Sequence, residues 1–154
     1  MIAKRALDIT PATGSGYPEP FRSRVLPRAK HRLGDAFGLT AFGVNLTVLP
    51  PGKQSSMRHW HSREDELVYV LEGELVLVTD AGEETLTPGM VVGFKAGGRD
   101  GHQLVNRGTV PATYLEVGNR DESDTAVYTD ADLAYARDAG GKVHYVHKDG
   151  TPYP

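Results

Sequence analysis

Glycine and proline cut this chain into short apolar runs, and that punctuation limits the fold more than any other feature. Eighteen glycines and ten prolines are spread over 154 residues. The run 39–49 (LTAFGVNLTVL) alternates, so that Phe42, Val44, Leu46 and Val48 share one face, and Pro50-Pro51-Gly52 ends it. The stretches 66–71 (ELVYVL), 74–79 (ELVLVT), 84–87, 90–94, 102–107 and 112–117 (ATYLEV) are short and rich in β-branched and aromatic residues. Many short strands between turn residues imply an all-β sandwich or barrel.

Several pairings are expected. Runs 66–71 and 74–79 read as a meander joined at Glu72-Gly73. Asp80-Ala81-Gly82-Glu83 reads as a hairpin turn into 84–87, and 102–107 with 112–117 as a closing hairpin around Gly108. Residues 1–37 read as an irregular arm, because Pro11, Gly14, Gly16, Pro18, Pro20 and Pro27 interrupt any helix. That arm is expected to wrap the barrel or to pack on a partner. The pattern fades after Gly118. Residues 130–138 (DADLAYARD) carry helix formers and suggest one short turn or helix, stopped by Gly140-Gly141; residues 142–147 (KVHYVH) suggest a last edge strand. The expected division is an arm at 1–37, a barrel at 38–118 and a C-terminal extension at 119–154 that packs on the barrel.

The length suits one domain with a core of its own. Seventeen basic against twenty acidic residues leave a net charge of −3, which argues against general binding to nucleic acid. With no cysteine, neither a disulfide framework nor a thiolate site is possible. No apolar run approaches a membrane span, and the first residues lack the apolar core of a secretory signal, so a cytoplasmic location is expected.

The chemistry concentrates in one place. His59 and His61 are two apart and share a face if 57–61 is extended, with Trp60 on the other. Glu66 opens the next strand, and His102 can join from a later one. Neutral imidazole nitrogen and carboxylate oxygen suit a divalent first-row metal such as Fe, Mn, Ni or Zn. Glu64 and Asp65 are rival carboxylates, read as solvated because Glu66 fits both the spacing and the strand start.

The order Gly52, His59, His61, Glu66, Gly73, then Gly89, Gly97, His102, Asn106 resembles the two sequence motifs of the cupin superfamily. One extra residue separates Gly52 from His59. Lys95 stands where proline is usual, and four residues rather than two separate Gly97 from His102. The resemblance covers about residues 38–118. It implies a double-stranded β-helix (jelly-roll) barrel, a metal held by His59, His61, Glu66 and His102, and a homodimer. It implies a reaction on an oxygen-rich small molecule, of dioxygenase, isomerase or lyase type. Two alternatives stay open: a noncatalytic module that binds a metal or small ligand, and a structural or storage jelly roll. The extra Lys and Glu residues of larger phosphosugar isomerase cupins do not map onto this chain.

The remaining residues read as follows. Met57, Val68 and Val70 would make the wall of the site largely apolar, and Leu104 and Asn106 share the face of His102. Arg28, Lys30, His31 and Arg32 read as a solvated loop rather than an anion site. Arg99 and Asp100 also read as solvated, as do His144 and His147, and Lys95 fits either role. Trp60 and Tyr69 face away from the ligands. No free Glu, Tyr or His stands out as a general base.

Overall fold

A computed structural model describes residues 2–154. Its strands are β1 (Ala29–Arg32), β2 (Phe42–Leu49), β3 (His59–His61), β4 (Glu66–Glu72), β5 (Leu75–Thr79) and β6 (Gly82–Leu86). There follow β7 (Val91–Phe94), β8 (Gln103–Val105), β9 (Ala112–Asn119), β10 (Ala126–Tyr128), β11 (Ala134–Arg137) and β12 (Val143–Val146). One antiparallel sheet has the order β1-β2-β9-β4-β7. Two smaller sheets, β6-β5-β8 and β12-β11-β10-β3, are joined where His59 pairs with His102. Leu49, Val68, Val70, Ala112 and Tyr114 from the first sheet pack on Leu75, Leu77, Leu86 and Leu104 from the second layer. The fold is thus the all-β jelly-roll sandwich that the sequence pattern implies.

β4 and β5 lie in opposite layers, as do β8 and β9, which overturns two expected pairings. β4 pairs with β7 and β9, while β5 pairs with β6 and β8, so the expected meander at Glu72-Gly73 is a crossing between layers. Gly73 makes that crossing at φ +71, and a Cβ there would lie 2.7 Å from the Pro111 carbonyl oxygen. The expected hairpin around Gly108 is a second crossing, from β8 to β9. Asn106 holds it: its fully buried Nδ2 donates to Leu49 O at 2.8 Å and Val110 O at 2.9 Å, and Gly108 N donates to its Oδ1. Only the hairpin from β5 to β6 runs as expected.

The register also shows which face of β2 is inside. Gly43, Asn45, Thr47 and Leu49 face inward beside Gly118, Glu116, Tyr114 and Ala112. Phe42, Val44, Leu46 and Val48 line the outer face, where Phe42 keeps 42% of its surface exposed. Alternation identifies two faces but not the buried one.

The arm is more regular than its prolines suggest. A five-residue helix, α1 (Phe21–Val25), fits between Pro20 and Pro27, and β1 pairs with β2 over Ala29–Arg32. Residues 130–138 form no helix. A bend leads into β11, which pairs with β10 and β12, because the sheet partner outweighs local propensity. A second apolar cluster joins the arm to these late strands through Tyr17, Val25, Met57, Tyr128, Ala131 and Leu133. Among the described residues no helix is long and apolar enough to cross a membrane.

Candidate metal centre

Backbone pairing brings the imidazoles together. His59 N donates to His102 O at 3.2 Å, and His102 N donates to His59 O at 2.9 Å. Two residues that exchange both backbone bonds project their side chains from the same face. His61 joins that face two residues along β3, and Tyr128 joins it opposite His59. Glu66 comes from the facing layer, inward with Val68 and Val70 on β4. Opposite Glu66 stands Gly118, where a Cβ would lie 2.7 Å from Asp65 O, so only glycine lets β4 and β9 approach this closely.

The hydrogen bonds set the histidine tautomers. His59 Nδ1 lies 2.8 Å from Met57 O, which can only accept, so Nδ1 carries a proton. His61 Nδ1 lies 2.6 Å from the Asp124 carboxylate and likewise donates. With Nδ1 the donor on each ring, the two Nε2 atoms face each other across 3.1 Å, and in the metal-binding form both present lone pairs. Such a contact is repulsive unless a cation lies between them. Two nitrogens each about 2.0–2.1 Å from one ion, at near right angles, are roughly that far apart.

Electrostatics keep the set ready for a cation. Burial, then the charges of His61 and His102, push the His59 imidazole down to about 4, so it is neutral near pH 7. Burial works to raise the Glu66 carboxyl, yet the hydrogen bond from His102 and the neighbouring imidazoles bring it down to about 2. His102 Nε2 is 3.4 Å from Glu66 Oε2, and its ring stacks on Phe94 at 3.5 Å. The donor atoms of His59, His61 and Glu66 all lie within 4.8 Å of one another. His102 stands just outside that close set, touching it through Glu66. Two imidazole nitrogens, a carboxylate oxygen and a nearby third nitrogen fit a divalent transition ion.

All four residues face a cavity of about 590 Å³. Its wall differs from the apolar one expected. Val68 lines it, but Met57 and Val70 are buried in the two apolar clusters. Much of the remaining wall is tyrosine: Tyr17, Tyr128, Tyr135 and Tyr145. Burial raises all four phenols above their usual range, so they stay protonated. The basic stretch leads into strand β1 rather than forming a loop, and Arg32 is its one exposed member. Arg28, Lys30 and Arg32 line the cavity, while His31 is buried with its Nδ1 bonded to Ile9 O. Lys30 pairs with Glu116, which also accepts from Asn45 Nδ2 at 3.2 Å.

The rival carboxylates are also engaged. Glu64 accepts from Asp121 N at 2.9 Å, and Asp65 accepts from Ala96 N at 2.8 Å. Asp100 accepts from Asp80 N at 2.7 Å, and with Lys95 and Trp60 it lines a smaller cavity of about 170 Å³ that shares His61, Glu66 and His102. His144 is exposed, and His147 is bonded at the surface to Asp132, as the sequence suggests. Asp124, Glu116 and the tyrosines escaped sequence reading. The only signal for the first was the alternation in 124–128 (DTAVY), which hints at a strand without naming its partner.

Comparison with known proteins supports the same family. The model of the cupin domain family matches residues 45–118. A crystal structure of a sugar phosphate isomerase from a cupin superfamily, from Silicibacter pomeroyi, is 47% identical, with a TM-score of 0.90 over 99% of this chain and 97% of that one. A proposed sugar phosphate isomerase from Acidithiobacillus ferrooxidans is 31% identical, with a TM-score of 0.72 over 82% of this chain and 80% of that one. A polyketide cyclase from Streptomyces resistomycificus, 22% identical with a TM-score of 0.64 over 79% of this chain and 80% of that one, shares the fold. No curated protein matches.

Proposed function

This chain belongs to the cupin family, and from that premise we propose that it is a divalent-metal enzyme acting on a small hydroxycarbonyl compound. The observation that carries the reading is the pair of Nε2 atoms facing each other at 3.1 Å beside Glu66. His59, His61, Glu66 and His102 would hold the ion. When bound, it would polarise a substrate carbonyl or hydroxyl as a Lewis acid. Two of its structural neighbours carry the name sugar phosphate isomerase, which favours isomerisation among the reaction types open to the site.

Isomerisation of a hydroxycarbonyl compound requires a proton to leave one carbon and return to its neighbour. Glu116 faces the cavity one diagonal step from Glu66 and is held by Lys30 and Asn45. Its free carboxylate oxygen is placed to carry that proton, and Lys30 to balance the charge. The protonated phenols of Tyr128 and Tyr17, 3.3 Å apart, can donate to substrate oxygens.

The test is turnover of aldose and ketose phosphates by protein reconstituted in turn with Fe, Mn, Ni and Zn. Metal-dependent isomerisation, lost in His61→Ala and reduced at least a hundredfold in Glu116→Gln, is expected. Metal-loaded protein that converts no member of the panel would contradict it.

A further inference from the structure

The cavity carries a cation that no carboxylate among the described residues neutralises. Four basic side chains line it: Arg28, Lys30, Arg32 and Arg120. Lys30 pairs with Glu116, Arg32 lies 4.0 Å from Asp35, and Arg120 also pairs with Asp35. Arg28 has no carboxylate partner among the described residues; its guanidinium donates to the Ser55 carbonyl alone. A partly buried guanidinium without a counter-charge is costly, and its planar set of donors matches an oxyanion.

The surroundings of Arg28 are those of an oxyanion receptor. Its charge acts on the phenols of Tyr17 and Tyr145, which burial keeps protonated and able to donate. The rings of Tyr17 and Tyr145 are 4.9 Å apart, and Ser55 and Ser56 complete a polar wall. This wall is continuous with the metal centre. Tyr17 meets Tyr128 through their hydroxyls, and the Tyr128 ring is 5.5 Å from that of His59. One ligand could therefore span from the imidazoles to Arg28 along the tyrosines, within a volume ordinary for a small-molecule site.

We propose that Arg28 receives a terminal oxyanion, a phosphate monoester or a carboxylate, of the compound whose other end meets His59, His61, Glu66 and His102. This rests on the functional reading above and narrows it to a bifunctional, anionic substrate. It also gives the basic stretch at the start of β1 a role: Arg28, just before the strand, selects, while Lys30 within it serves Glu116.

The test is calorimetric titration of the metal-loaded full chain with three hydroxy acids. Glycerate offers one chelating end, 3-phosphoglycerate adds a phosphate, and malate adds a carboxylate. One of the last two should bind at least about tenfold tighter than glycerate, the scale of a charge-assisted pair; which one does so tells phosphate from carboxylate. Arg28→Gln should erase the preference with metal content unchanged. No preference, or one that survives in Arg28→Gln, overturns the proposal. If Arg28 were merely a strut for Ser55, the variant would lower the melting temperature and leave the preference intact. Should Arg28→Gln fail to fold, Arg28→Lys is read instead: the preference should fall at least threefold, and a wild-type preference overturns the proposal. If the chain holds no metal, so that the functional reading fails, inorganic phosphate decides alone. A phosphate-dependent rise in melting temperature that is absent in the variant supports the oxyanion site, and no rise, or an equal rise in both, overturns it.

Discussion

Asp124 accepts hydrogen bonds from His61 and from the backbone of Arg63 and Glu64 at once. It faces no substrate, yet it determines which His61 nitrogen keeps its lone pair. Burial opposes ionisation of this carboxyl, but the hydrogen bond and charge of His61 and the backbone N–H groups of Arg63 and Glu64 together outweigh it and hold the group below the usual range. Asp124→Asn keeps the shape and loses the charge, so metal affinity should fall about 10–100-fold with little loss of stability; competition against a chelator measures it. The cluster of candidate ligands was legible because two histidines and a carboxylate at strand spacing leave few other uses. Asp124 was not, since nothing local ties it to a residue 63 positions earlier. The titration of His59 and Glu66 predicts a pH response. His59 falls from 6.5 in the unfolded chain to about 4 when folded, and Glu66 from 4.5 to about 2. Both depressed values mean that the unfolded chain takes up protons first, so acid favours unfolding. The metal-free protein should lose stability as pH drops from about 6.5 toward 4 through His59, and further from about 4.5 toward 2 through Glu66. A melting temperature that is flat from pH 7 to 5 would contradict the burial of a neutral His59.

The elements converge because of close approaches that single residues permit. At Gly118 an added methyl would meet Asp65 O at 2.7 Å, directly opposite Glu66. Gly118→Ala should destabilise the fold by about 1–3 kcal/mol and displace Glu66, so metal affinity and denaturation midpoint should fall together. Asn106 satisfies two carbonyls between β8 and β9, and Asn106→Ala should cost about 1–3 kcal/mol through the buried groups left unpaired; urea denaturation of the metal-free chain measures that separately from binding. At this scale the sequence revealed the strands better than their partners. Alternation showed 66–71, 74–79 and 112–117, but adjacency in sequence suggested hairpins where the jelly roll crosses between layers. For β11, helix-forming residues concealed a strand that exists only because β10 and β12 flank it.

Across the whole molecule, one apolar cluster fills the space between the layers and a second locks the arm to the late strands, leaving the cavity between them polar. The fold class was readable from punctuation and motif order. The polarity of the cavity was not, because Tyr17, Arg28, Tyr135 and Tyr145 come from segments outside the barrel run 38–118, the first two from the arm before β1 and the others from β11 and β12. Since the ion would bind the folded state and span both layers, chelation should lower the melting temperature, and restoring metal should reverse the change. The account rests most directly on elemental analysis of purified, reconstituted protein beside a His59→Ala/His61→Ala variant. It predicts about one divalent transition metal per chain in the wild type and almost none in the folded variant; a wild-type chain that takes up no metal, or a variant that retains it equally, would contradict it.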